Sequence, residues 1–114
     1  MTQFVVPGPP VAKGRPRFSR GRTFTPPRTV AYEAKVRAAA RRARVPLLAG
    51  PVVLEVDFYL ATARRVDLDN LVKGVADAIN GAAYLDDAQV VRIVATKQVD
   101  RKDPRAVVRV TRAE

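Results

Sequence analysis

The segment PVVLEVDFYL, residues 51–60, constrains the fold of this chain more than any other part of its sequence. Apolar and polar side chains alternate along it, and one of the two resulting sets is wholly apolar: Val52, Leu54, Val56, Phe58 and Leu60. A period of two residues is that of a β-strand with one apolar face. The strand therefore predicts a sheet whose apolar side is covered by other elements.

Two predicted helices provide that cover. The first spans about 28–44, and the second spans about 69–80 and carries an apolar stripe at helical spacing: Leu68, Leu71, Val72, Val75, Ala76 and Ile79. Gly81 is expected to end the second helix. Three further strands are predicted, at 2–6, 89–99 and 105–112. The resulting order β, loop, α, β, α, β, β predicts an α+β fold, with two main helices on a small mixed β-sheet.

The segment 7–28 is predicted to be a loop, because prolines and glycines interrupt it repeatedly. It concentrates cations that are predicted to contact DNA: Lys13, Arg15, Arg17, Arg20, Arg22 and Arg28. Phe18 and Phe24 lie among them, and a mixture of arginine and aromatic side chains suits phosphate contact together with base stacking. The alternative is that both phenylalanines fold back into the core.

The net charge of +10 is spread unevenly, and its distribution indicates a nucleic-acid partner. Residues 1–50 contain eleven Lys and Arg residues and one acid, Glu33, whereas residues 51–114 contain ten residues of each sign. Clustered positive charge is typical of binding to a polyanion, since each neutralised phosphate releases condensed counterions. An anionic membrane surface is the weaker alternative, because the proline- and glycine-rich basic part is poorly suited to one amphipathic helix.

The chain contains no cysteine and no histidine, which limits the chemistry available to it. Disulfides, thiol catalysis, zinc sites of the Cys/His kind and an imidazole general base are all excluded. No apolar run reaches the length of a membrane span, and the first residues do not resemble a signal peptide. We expect a soluble cytoplasmic protein that uses carboxylates, lysine, tyrosine, hydroxyls or water for any proton transfer or metal binding.

The acids of this basic chain are concentrated in RRVDLDNLVKGVADAINGAAYLDD, residues 64–87. Each acid has a structural explanation when it is taken singly. Asp69 could cap the second helix, Asp77 could pair with Lys73, and LDDAQ could be a turn. Taken together, however, the acids would repel one another unless a cation lies between them.

A hard divalent cation such as Mg²⁺ matches these side chains. Mg²⁺ prefers oxygen ligands and commonly uses one or two carboxylates together with water and a substrate phosphate. An extended VDLD segment would point Asp67 and Asp69 to the same side and give one edge of such a site. Asp86 and Asp87 would join them only if the chain folds back after the second helix.

The same residues carry a resemblance to a known family. DLDNLVKGVADAINGAAYLDDAQV resembles the central motif of the RusA family of Holliday-junction resolvases, D-x-D-N-x-x-K-x-x-x-D-A followed by paired aspartates. The upstream VPGPPVAKGRPRF is similar to the family's opening segment. The resemblance implies one RusA-like domain over 1–114. It also implies a homodimeric, Mg²⁺-dependent endonuclease that nicks four-way DNA junctions symmetrically in recombination and repair, and that is often carried by phages or prophages.

The resemblance further implies roles for individual residues. Asp67, Asp69 and Asp87 match the family's catalytic, metal-binding aspartates, and Lys73 matches its motif lysine. The interval before the acidic pair is a residue shorter than in some members, so Asp86 is an alternative metal ligand to Asp87. Lys73 would then lie near the scissile phosphate and stabilise the transition state.

Two other classes of function stay open at this point. One is a non-catalytic nucleic-acid-binding module, possibly phage-encoded, whose acids serve as caps and turns. The other is a small viral structural or assembly protein that binds nucleic acid only for packaging. Within the family motif, Asp77 is interpreted as structural support.

Overall fold

The computed structural model describes residues 2–113, and its elements confirm the α+β class. The helices and strands of this range are β1 (Thr2–Pro7), β2 (Arg17–Ser19), β3 (Arg22–Phe24), α1 (Pro27–Arg42), β4 (Val52–Leu60), α2 (Leu68–Ala78), β5 (Val90–Val99) and β6 (Arg105–Arg112). A short 3₁₀ turn, Asp87–Gln89, precedes β5. Neither helix in this range is both long and apolar enough to cross a lipid bilayer.

Four of the strands form a mixed sheet in the order β1-β6-β4-β5. The β4–β5 pair is parallel, because α2 carries the chain back to the starting end of β4, and the other pairs are antiparallel. Because β5 is last in the strand order, it forms one edge of the sheet. Most of its residues are exposed, including Val91, Ile93, Val94 and Val99.

The alternation predicted for β4 is confirmed. Its apolar set is buried, with Val52, Leu54, Val56 and Phe58 fully inaccessible to solvent. Burying large apolar side chains contributes about 1.5–3 kcal/mol each, so β4 is the centre of the core.

Both helices contribute to this core, and the stripe predicted for the second helix needs a small correction. In α1 the buried residues include Tyr32, Val36 and Ala40. Ala43 is exposed because the helix ends at Arg42. In α2 the predicted stripe is buried except at Leu68 and Ala76, which are half-buried.

The glycines and prolines of segment 7–28 predicted a continuous loop, and this prediction is wrong. The strands β2 and β3 pair there as a two-residue hairpin, called the basic hairpin below (residues 17–24). Its turn is formed by Arg20 and Gly21, with φ of 52° and 75°, the left-handed geometry that tight hairpins require. Phe18 and Phe24 are 75% and 43% exposed, so the alternative that they fold into the core is wrong.

Candidate active site

A groove of about 700 Å³ runs between α2 and β5 and gathers several of the predicted site residues. Its lining residues are Leu68, Asp69, Val72, Lys73, Ala76, Asp77, Asp87, Val90, Ile93 and Ala95. The apolar members come from α2 and β5 and form the walls. Three carboxylates and one ammonium group are the charged groups among these residues. We call this cavity the acidic groove.

The α2 side of the acidic groove follows from helical spacing. Asp69, Lys73 and Asp77 recur at intervals of four residues, so they lie along one face of the helix. The Nζ atom of Lys73 lies 3.7 Å from Oδ2 of Asp77. Lys73 is nevertheless 61% exposed, so its ammonium group is accessible to a bound anion.

Two long-range contacts bring Asp87 to the other side of the groove. The Tyr84 hydroxyl donates a hydrogen bond to the Ala76 carbonyl at 2.8 Å, which holds the chain against the end of α2 after it reverses. The Gln89 side chain accepts hydrogen bonds from the Leu85 and Asp86 N–H groups at 2.8 and 3.0 Å. Its amide also donates to the carbonyls of the α1–β4 connection, those of Leu48 and Gly50.

The two residues of the acidic pair have different positions. Asp86 caps the 3₁₀ turn, since its Oδ1 accepts a hydrogen bond from the Ala88 N–H at 3.0 Å. Asp87 lines the acidic groove. The structural interpretation of LDDAQ as a turn is therefore confirmed for Asp86, and Asp87 is the member of the pair that faces the cavity.

The pKa values of Asp86 and Asp87 are shifted in opposite directions. The hydrogen bond shared with Asp86, followed by desolvation and by repulsion from Asp86 and Asp77, raises the pKa of Asp87 above its ordinary value. Lys73 opposes this shift in the pKa of Asp87 without cancelling it. The hydrogen bond from the Ala88 N–H, followed by that with Asp87, lowers the pKa of Asp86.

Asp67 lies outside the acidic groove. Its prediction as a neighbour of Asp69 assumed that VDLD is extended, but α2 already begins at Leu68. Asp67 is therefore the N-cap residue and Asp69 lies in the first turn of the helix, and the two side chains line different cavities. They keep one common neighbour, because the Asn70 side-chain amide donates to Asp67 Oδ2 at 3.5 Å and the Asn70 N–H donates to Asp69 Oδ1 at 3.0 Å.

Asp67 instead lines an adjacent recess of about 550 Å³ that is rich in arginine. Arg28, one of the predicted DNA contacts, lines the same recess together with Arg64 and Arg65. The sequence reasoning missed these last two residues. Their position directly before the acidic motif was the available signal.

Lys13, one of the cations predicted to contact DNA, is instead paired with two acids of the protein itself. Its Nζ atom lies 2.6 Å from Glu33 Oε2 and 3.3 Å from Asp77 Oδ2, and its N–H donates to the Asn70 carbonyl at 2.9 Å. Desolvation alone would lower the pKa of Lys13, but the hydrogen bonds to Glu33 and Asp77 raise it overall. Lys13 thus ties the segment before the basic hairpin to α1 and α2. Asp77 has two lysine partners, in agreement with its interpretation as structural support.

The remaining predicted cations are accessible. Arg15, Arg17, Arg20 and Arg22 are all exposed on or just before the basic hairpin. None of them makes an ion pair with an acid within residues 2–113.

The groove contains the type of ligand atom that a hard cation binds. These atoms are carboxylate oxygens, which Mg²⁺ prefers, and the groove holds three carboxylates but only one ammonium group. Within residues 2–113, no three acidic side chains form a ready-made metal cage. Mg²⁺ needs no such cage, since water and a substrate phosphate commonly complete its ligands.

Comparison with known proteins adds an independent observation. Residues 7–111 match the family model described as "Endodeoxyribonuclease RusA". The chain is 39% identical over 88 residues to the crossover junction endodeoxyribonuclease RusA of Escherichia coli strain K12, covering 75% of this chain and 73% of that protein. It is 38% identical over 88 residues to the crossover junction endodeoxyribonuclease of Enterobacteria phage 82, with the same coverage. It is also 32% identical over 121 residues to YqaN of Bacillus subtilis strain 168, covering 83% of this chain and 85% of that protein.

Proposed function

We propose a reaction for the acidic groove from one premise: the chain belongs to the RusA family of endodeoxyribonucleases. In this proposal the protein resolves Holliday junctions, which are four-way DNA, by paired symmetric cleavage of phosphodiester bonds in a Mg²⁺-dependent reaction. It acts in the cytoplasm of a bacterial or phage-infected cell. The observation that supports it most is the joint presence of Asp69, Lys73 and Asp87 in one groove. The crossover-junction names of two relatives support the choice of substrate.

Asp69 and Asp87 are the groove residues proposed to hold Mg²⁺. Asp67 stays a candidate ligand on the family motif, although its side chain lines the neighbouring recess. Asp86 is a weaker candidate, because it already accepts the Ala88 N–H. A bound Mg²⁺ supplies charge neutralisation at the phosphate and activates water for attack on phosphorus.

The other groups of the groove orient and stabilise the reacting phosphate. Lys73 is one turn from Asp69 and largely exposed, so its ammonium group can donate to a phosphate oxygen as negative charge develops there. The pairing of Asp77 with Lys13 and Lys73 keeps Asp77 from competing for the cation.

A homodimer is the proposed active form. Four-way DNA has near two-fold symmetry, and an isologous dimer presents two equivalent sites to two strands. The edge strand β5 supports this proposal, because it is ten residues long, carries exposed apolar side chains and forms one wall of the groove. A long apolar edge is a surface that proteins usually cover.

A synthetic four-way junction tests the proposed function directly. Incubation with Mg²⁺ is expected to give symmetrically nicked duplexes, whereas EDTA is expected to stop cleavage without stopping binding. A linear duplex of the same sequence is the control substrate and should stay intact. Tight binding without any cleavage would instead favour the non-catalytic binding module.

The exposed arginines are expected to position the DNA through its backbone. Replacing both Arg15 and Arg17 by Ala should weaken binding to junction and duplex alike and reduce the slope of log Kd against log salt by about 2, since each phosphate contact contributes about 0.9. Binding titrations at several salt concentrations measure this slope. The double variant Arg101→Ala, Lys102→Ala removes the same charge outside the basic hairpin and should change the slope less. An equal change in the two variants would mean that only net charge matters.

A further inference from the structure

The basic hairpin separates its aromatic tip residue from its arginines. In its register Arg17 pairs with Phe24, Phe18 with Thr23, and Ser19 with Arg22. Directly paired residues of an antiparallel ladder share a face, and successive residues alternate between faces. Phe18 and Thr23 therefore lie on one face of the hairpin, while Arg17 and Arg22 lie on the other.

Folding does not explain the position of Phe18. Its side chain is 75% exposed, and every residue of the basic hairpin is exposed as well. The backbone around it is nonetheless defined, because the ladder pairs Phe18 with Thr23 and the left-handed turn closes the hairpin directly beyond Ser19. The chain thus holds a phenyl ring in solvent on a short, ordered support that is surrounded by positive charge.

We propose that Phe18 stacks on a base at the branch point of the DNA junction and thereby favours junctions over linear duplexes; this inference rests on the proposed function. Inside a linear duplex both faces of each base are covered by neighbouring bases, so a phenyl ring has no free face to contact. At a branch point the stack is interrupted and a base face becomes accessible. Stacking on an aromatic side chain is then favourable for any base, because every base has a π-face.

The segment just before the basic hairpin is anchored to both helices, including α2, which carries groove residues. The Lys13 N–H donates to the Asn70 carbonyl at 2.9 Å, and the Gly14 N–H donates to Thr29 Oγ1 at 2.9 Å. The segment also packs closely on α2, where a Cβ added at Gly74 would lie 3.6 Å from the Val11 carbonyl oxygen. Phe18 follows Lys13 by five residues, so an extended connection places it at most about 18 Å away.

Binding measurements on matched variants test this inference. Phe18→Ala is expected to weaken junction binding about 10-fold and to leave binding to a linear duplex of the same sequence within about 2-fold, both measured in EDTA. Thr23→Ala changes the other residue of the same face and should alter neither affinity. Arg17→Ala should weaken binding to the junction and to the linear duplex to a similar extent. The inference is overturned if Phe18→Ala leaves junction binding unchanged, or if it weakens binding to the junction and to the duplex equally.

A fluorescent variant reports the contact itself. The chain contains no tryptophan, so Phe18→Trp introduces a single indole at this position. We expect it to retain the junction preference, with tryptophan emission quenched more by a junction than by a duplex, since stacking on a base quenches indole. Equal quenching by both substrates overturns the inference. Cleavage assays on the same samples distinguish this inference from the proposed nuclease function. If the wild-type protein prefers junctions through Phe18 but does not cut them, only the nuclease proposal is contradicted.

Discussion

Replacing Asp69 by Asn is expected to lower the rate of junction cleavage about 1000-fold and to leave junction affinity within about 2-fold. Asn keeps the size of the side chain but removes the charge that would hold Mg²⁺ in the acidic groove. Metal ions contribute several kcal/mol to transition-state stabilisation, and about 4 kcal/mol corresponds to the expected factor. Single-turnover cleavage and equilibrium binding of the same junction measure the two quantities.

The acidic pair offers a graded comparison for this experiment. Asp87→Asn should resemble Asp69→Asn, because Asp87 lines the groove. Asp86→Asn should have a much smaller effect, since Asn can replace Asp as a cap of the 3₁₀ turn. Asp103→Asn makes the same chemical change in the β5–β6 turn and is the control for general effects of charge. Full cleavage by Asp69→Asn would exclude the acidic groove as the metal site.

Replacing Lys13 by Met is expected to reduce the free energy of unfolding by about 2 kcal/mol. The substitution keeps an unbranched apolar stem but leaves Glu33 and Asp77, whose side chains are only 14% and 26% exposed, without their shared cation. Removing one partner of a fully buried ion pair costs about 3–5 kcal/mol, and partial exposure reduces that figure. Urea denaturation followed by circular dichroism measures the change.

Lys73→Met is the matched control for this second experiment. Lys73 makes a single 3.7 Å pair with Asp77 and is largely exposed, so its loss should cost less than about 0.5 kcal/mol. Equal stabilities of the two variants would contradict the structural role of Lys13. If Lys13 were mainly a DNA contact, its replacement would weaken binding while leaving the unfolding curve unchanged.

Local periodicity was enough to predict the core and half of the acidic groove. The alternation in β4 and the pairing of Lys73 with Asp77 depend on neighbours in the chain, and the structure contains both. The start of α2 was less predictable, because helix and extended backbone are both compatible with VDLD. With the helix starting at Leu68, Asp67 and Asp69 line different cavities.

The approach of Asp87 depends on contacts that a local pattern does not contain. The Tyr84–Ala76 and Gln89–Leu48 hydrogen bonds join residues on different elements, so they become visible only in three dimensions. The basic hairpin was missed for another reason. Its strands have three residues each, and the surrounding glycines and prolines favoured a loop.

The order of strands in the sheet has a consequence for the folding pathway. β6 lies between β1 and β4, so these two strands are joined in the sheet only through β6, the last of the strands within residues 2–113. On the ribosome β4, α2 and β5 can associate early, whereas β1 must wait for residues 105–112 before it gains a partner in the sheet. Such non-local pairing slows folding and leaves strand edges exposed in intermediates. We therefore expect the nascent chain to complete its sheet only after β6 has left the exit tunnel.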